Sequence, residues 1–174
     1  MSLTGKRVVI LVAEQFQDME VMYPYYRFKE EGAEVIVAGT GSAELYHGKF
    51  GYPVKTTTTA DKVDFKNVDA VIIPGGWAPD FIRRFKAPVK LVSDAFKAGK
   101  VIAAICHAGS VLVSAGILKG KTATAFMAIK DDMAAAGANF VDKEVAIDGN
   151  LITSRNPDDL PAFCRAVIAA LEQK

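Results

Sequence analysis

Cysteine is scarce in this sequence: 174 residues carry two, Cys106 and Cys164. Two thiols so far apart are no disulfide framework, and their number suits a reducing cytoplasm. Histidine is equally scarce, with His47 and His107 alone. Two histidines and two cysteines, dispersed, lack zinc-ligand spacing, so no metal is expected. No histidine follows residue 107, which excludes a nucleophile triad closed by a C-terminal histidine. No apolar run approaches the roughly 18 to 20 residues of a membrane span. "VVILVA" after Lys6 and Arg7 has a faint signal-peptide look, but Glu14 ends the run and no small-residue cleavage site follows. Net charge is only +1, with acids and bases mixed along the chain. Neither nucleic acid nor a membrane surface is therefore an expected partner. Phosphate loops are missing too. The turn "EQFQD" has no glycine, and "GTGSAE" follows the wrong strand, so no nucleotide-type cofactor is expected.

What is present is an ordered alternation. Just over half the residues are hydrophobic, enough for one domain with a real core and too few residues for two comfortable ones. "RVVILVA" reads as a strand buried on both faces. A helix should run from Asp18, as N-cap, to Gly32, with Pro24 bending it. "EVIVAG" is the next strand, and residues 44–64 read as short strands and turns. "DAVIIPGG" is a strand closed by a glycine turn. "PVKLVSDAFKAG" is an amphipathic helix, "VIAAIC" a buried strand, and "AGSVLVSAG" a helix stopped by Gly116. "TATAF" is a further strand and "MAIKDDMAAAG" a helix. "EVAIDGNLITS" is a hairpin turning at Asp148-Gly149, and "DDLPAFCRAVIAALEQ" the closing helix. Strands alternating with helices imply an α/β layered fold with a mainly parallel sheet. Sites in such folds lie at the carboxyl ends of strands, which singles out the loops after Ala13, Ile73 and Ile105.

Those loops hold the reactive residues. "AAICHAGS" has the pattern of a nucleophile elbow: an apolar strand, small residues around Cys106, then a helix. A thiol there would meet unpaired N–H groups and the positive end of the helix dipole, so its pKa is expected to fall. The competing reading is a buried core cysteine, and Cys164, inside an amphipathic helix, is read that way. His107 is the neighbouring base candidate. In "IIPGGWAPD", an N–H of Gly75 or Gly76 can complete an oxyanion hole, or the glycines can simply make a turn. Trp77 lines a pocket or an interface, and Asp80 orients a histidine or caps a helix. Glu20, a carboxyl beside the thiol, would have its pKa raised and could pass a proton. Glu14, Gln17 and Asp18 share its loop, and the sequence does not choose among them.

"YPYYRFKEEG", "IIPGGWAPD", "AICHAG", "IKDDMAAAG" and "TSRNPDDLPAF" occur in the order found in the PfpI-type intracellular proteases of the ThiJ/PfpI superfamily, which the chain resembles along nearly its whole length. The resemblance implies a single ThiJ/PfpI-like domain over residues 1–174, a flavodoxin-like three-layer sandwich, and a nucleophile at Cys106. It implies Glu20 as the supporting carboxyl and oxyanion N–H groups from Gly76 and His107. It also implies a homodimer or homohexamer, with Asp80 of an adjoining subunit pairing the histidine. The chain departs from the family's pattern at Ala108, where glycine is common, at Asp80, where some members carry glutamate, and at Phe126, where some carry a tyrosine.

The function expected is a cysteine-dependent, stress-related enzyme acting on small carbonyl substrates, glyoxalase- or deglycase-like, or on peptides. No long insertion for an extended chain is evident, which favours the small substrate. The alternative is a redox-sensing stress protein or chaperone whose Cys106 is oxidised rather than catalytic.

Overall fold

The computed structural model describes residues 1–173. Strand β1 (Arg7–Val12) is followed by helix α1 (Asp18–Glu30) and β2 (Glu34–Gly39). The short strands β3 (Leu45–His47), β4 (Pro53–Lys55) and β5 (Thr58–Thr59) lead to β6 (Ala70–Ile73). Helices α2 (Ala78–Ile82) and α3 (Lys86–Lys97) connect to β7 (Val101–Ile105), and α4 (Gly109–Ala115) follows. The last third holds β8 (Thr122–Ala123), α5 (Lys130–Ala135), β9 (Asn139–Phe140), the hairpin β10 (Val145–Asp148) and β11 (Leu151–Ser154), and α6 (Leu160–Glu172).

Seven strands form the main sheet in the order β10-β11-β7-β6-β1-β2-β5. Every pairing is parallel except the β10–β11 hairpin. The four strands β1, β6, β7 and β11 are buried along nearly all their length, which is why β1, β6 and β7 read as unbroken apolar runs rather than alternating ones. Helices cover both faces: α1 packs on α6, and α3 on α4. This is the α/β layered fold with a mainly parallel sheet that the alternation implied, in the flavodoxin-like sandwich form that the resemblance implied.

Three local expectations shift. Asp18 does not cap α1; Gln17 does, accepting the Met19 N–H at 2.8 Å. Asp18 is instead turned inward and accepts the N–H groups of Phe50 and Tyr52. The hairpin turns on Gly149 and Asn150, because Asp148 still pairs with Leu151 and its carboxylate accepts Thr122 N–H. "TATAF" yields only the two-residue β8, paired with β9 outside the main sheet. Helix α1 runs through Pro24 as one element. At the N-terminus Leu3 is fully buried and its N–H donates to Glu31.

Candidate active site

The strand order places three chain reversals side by side. β7, β6 and β1 are neighbours, so the loops after Ile105, Ile73 and Val12 meet at one edge of the sheet. Cys106 opens the turn after β7 with φ +62° in a 3₁₀ turn that leads into α4. A side chain with a β-carbon is strained there, and such strain is characteristic of a nucleophile elbow. The small neighbours Ala104, Ala108 and Gly109 are buried around it.

The glycines of the β6 loop divide their work. Gly75 donates its N–H to Glu20 Oε2 at 2.6 Å, so it is not available as an oxyanion donor. A β-carbon at Gly75 would lie 2.7 Å from Cys106 Cβ, 2.8 Å from Glu20 Oε2 and 2.9 Å from His107 N. Gly76 has φ +70°, and its N–H and that of His107 both bear on the Cys106 sulfur. The pair expected at an oxyanion hole is thus at the thiol.

Of the four candidates in the first loop, Glu20 is the one beside the cysteine. It is 0% exposed, and its Oε1 has no hydrogen-bond partner. Burial pushes its carboxyl up to about 7, against the pull of the Gly75 N–H, the Cys106 side chain and the Lys49 charge. The thiol moves against the sequence expectation. Burial first, and the Glu20 carboxylate second, push Cys106 up to about 12, outweighing the N–H groups of Gly76 and His107. A pKa read from a helix start omits the desolvation and the facing anion, and these dominate.

His107 Nδ1 lies 3.4 Å from Cys106 Sγ. Desolvation lowers the His107 pKa, Asp80 opposes this, and Lys49 adds to it. Asp80 sits in the first turn of α2 and makes no hydrogen bond to His107 within the chain. The His107 ring is stacked on Phe126, centroids 4.8 Å apart at 26°, and lies 6.0 Å from Trp77. Phe126 donates its N–H to the Cys106 carbonyl at 3.1 Å, which ties it to the elbow. Beside His107 is a pocket of about 240 Å³, also lined by Gly76, Trp77, Asp80 and Ser110.

Lys49 and Phe16 are residues that sequence reasoning missed, and Asp18 is one whose role it misplaced. Phe16 bridges Gly48 on one side and Gly76 on the other, and accepts the Lys49 N–H at 2.8 Å. With Asp18 holding Phe50 and Tyr52, this docks the β3–β4 turn against the site and brings the Lys49 charge near. No sequence signal marks Lys49; Asp18 carried one, but it read as a helix cap. Cys164 is 1% exposed and sits within α6, as expected of a structural thiol. Among the described residues no cluster of His, Cys, Asp and Glu could hold a metal, and no helix is long and apolar enough to cross a membrane.

Comparison with known proteins matches residues 6–170 to the DJ-1/PfpI family. Deglycase PfpI of Pyrococcus furiosus is 42% identical over 166 residues, covering 95% of this chain and 99% of that protein. Protein/nucleic acid deglycase 2 of Escherichia coli is 37% identical over 169 residues, covering 96% and 98%. A solved two-domain protein from Anabaena variabilis, with DJ-1/ThiJ/PfpI-like and ferritin-like domains, superimposes with a TM-score of 0.93 at 42% identity. That match covers 95% of this chain and 48% of the two-domain protein.

Proposed function

This chain belongs to the DJ-1/PfpI family, and on that premise we propose that it is a cysteine-dependent enzyme of small carbonyl compounds, of the glyoxalase or deglycase type. Cys106 is the nucleophile, Glu20 the proton carrier, and the N–H groups of Gly76 and His107 the oxyanion donors. The observation that carries this reading is the buried Glu20 carboxyl beside the Cys106 thiol, two groups that burial pushes upward, so that the thiol keeps its proton at neutral pH. Such a pair withholds the thiolate until a substrate arrives.

The chemistry follows from that arrangement. Glu20 takes the thiol proton as sulfur adds to an aldehyde carbon. The carbonyl π pair moves to oxygen, where the Gly76 and His107 N–H groups hold it. Return of the proton gives a hemithioacetal. With an α-oxoaldehyde, moving the C1 hydrogen to C2 as a proton, through an enediol, oxidises C1 and reduces C2. The product is a thioester of a 2-hydroxy acid, which water hydrolyses, freeing the thiol. Water is consumed and no external oxidant is needed. His107, its pKa lowered and 3.4 Å from sulfur, is the base suited to that shift.

Two rival readings fit less well. A peptidase needs a groove for an extended chain, whereas the space beside His107 is a pocket of about 240 Å³. A peroxide sensor needs thiolate character, and a thiol pushed up to about 12 has little at rest. In the proposed assembly, a homodimer or homohexamer in a reducing cytoplasm, Asp80 pairs with His107 across subunits. Its support is the resemblance to PfpI-type proteins. Sedimentation of wild type and Asp80→Asn tests that assembly.

The deciding experiment follows methylglyoxal loss and lactate formation with pure protein beside Cys106→Ala. Turnover by wild type and none by the variant is expected. No lactate from either would remove dicarbonyl conversion, and oxidation of Cys106 but not Cys164 by mild peroxide would then favour the redox role.

A further inference from the structure

Trp77 is the sole tryptophan of the chain, yet it is 56% exposed. Tryptophan is highly buried on average, because its ring carries the largest apolar surface of any side chain. Here it is held out by its backbone: Gly76 precedes it, and its own N–H donates to Gln15 O at 2.8 Å. Phe126, 40% exposed, is held by its N–H on the Cys106 carbonyl. His107 lies between them, so three rings stand in a row beside the nucleophile. The adjoining pocket adds the apolar Pro79 and Ile129, with the charged Asp80, Arg83 and Asp132 also on its lining. It also adds Ser110, a side chain 6% exposed whose hydroxyl has no hydrogen-bond partner. At about 240 Å³ the pocket exceeds the roughly 150 Å³ cavity that accepts benzene.

We propose that this pocket is a subsite for a flat aromatic substituent on the electrophilic carbonyl compound, with Trp77 as the specificity-determining ring on its lining and Phe126, outside the pocket, positioning the stacked His107. The proposal rests on the reading of Cys106 as a carbonyl nucleophile, and it names the substrate class: aromatic α-oxoaldehydes in preference to aliphatic ones. Face or edge contact between rings gives roughly 2- to 12-fold beyond simple area burial. Burial of the extra ring carbons adds to that.

The test has a kinetic arm and a binding arm. In the first, kcat/KM is measured for phenylglyoxal and methylglyoxal with wild type, Trp77→Phe, Trp77→Ala and Phe126→Leu. Wild type should prefer phenylglyoxal by about tenfold or more. Trp77→Ala should bring the ratio towards parity, Trp77→Phe should restore part of it, and Phe126→Leu should lower kcat/KM for both aldehydes alike, leaving the ratio in place. In the second arm, mandelate and lactate are titrated into wild-type protein and tryptophan fluorescence is read, which reports on Trp77 alone. Mandelate should perturb the emission at a concentration about tenfold lower than lactate. Equal kcat/KM for the two aldehydes, or emission insensitive to mandelate because another copy covers Trp77, overturns the subsite. Mandelate binding with no turnover of either aldehyde keeps the subsite and refutes the nucleophile reading instead.

Discussion

Replacing Glu20 by glutamine should make the protein more stable, and by an amount that depends on pH. Glu20 is fully buried, and its carboxyl titrates at about 7 against an ordinary value of 4.5. The native state therefore holds this proton more tightly than the unfolded chain between those two pH values. Stability must fall as pH rises through that window, since it falls wherever the folded state binds more protons. Each pH unit is worth about 1.4 kcal/mol, so the full penalty above pH 7 is roughly 3 kcal/mol. Glutamine is close to isosteric with the protonated acid, its carbonyl oxygen can still accept the Gly75 N–H, and it never carries the charge. The two proteins should be nearly equal in stability at about pH 4.5, and the variant roughly 3 kcal/mol more stable at about pH 8. For a chain of this size that is a difference in Tm of roughly 6 to 12 °C. Urea denaturation of both proteins across pH 4.5 to 8 measures it, and contributions from every other titrating group cancel in the difference. A gap independent of pH, or a wild type that is the more stable at pH 8, would refute the account of Glu20 as a buried charge. The same substitution should cut turnover sharply, because the carboxylate that takes the thiol proton is gone and only His107 Nδ1, 3.4 Å from the sulfur, remains.

Three further outcomes are expected. The kcat/KM of wild type should rise with pH through an apparent pKa near 7, since Glu20 must be ionised to accept the thiol proton; a rate flat between pH 6 and 8 counts against that role. Gly75→Ala drives a β-carbon into Cys106, Glu20 and the His107 backbone, and should cost about 1–3 kcal/mol of stability along with most activity, read by denaturation and initial rates. Asp18→Ala leaves the N–H groups of Phe50 and Tyr52 without their buried acceptor; a loss of about 2–3 kcal/mol, with faster amide exchange across residues 48–52, is the expected result.

The order of elements and the elbow were legible in the amino-acid sequence. Continuous apolar runs mark strands buried on both faces, and small residues around Cys106 mark a turn too tight for larger ones. The glycine pair was legible as a place of close approach, although not which partner each N–H serves. Only the tertiary structure selected Glu20 from its acidic neighbours, because the choice depends on β1 and β7 flanking β6, pairings 62 and 31 residues apart in the chain. It likewise turned Asp18 from a cap into a buried acceptor, since the β3–β4 turn arrives above it. The direction of the thiol's pKa reversed for the same reason. Local sequence carries the helix start, but desolvation and a facing carboxylate belong to the packed molecule, and at Cys106 these win.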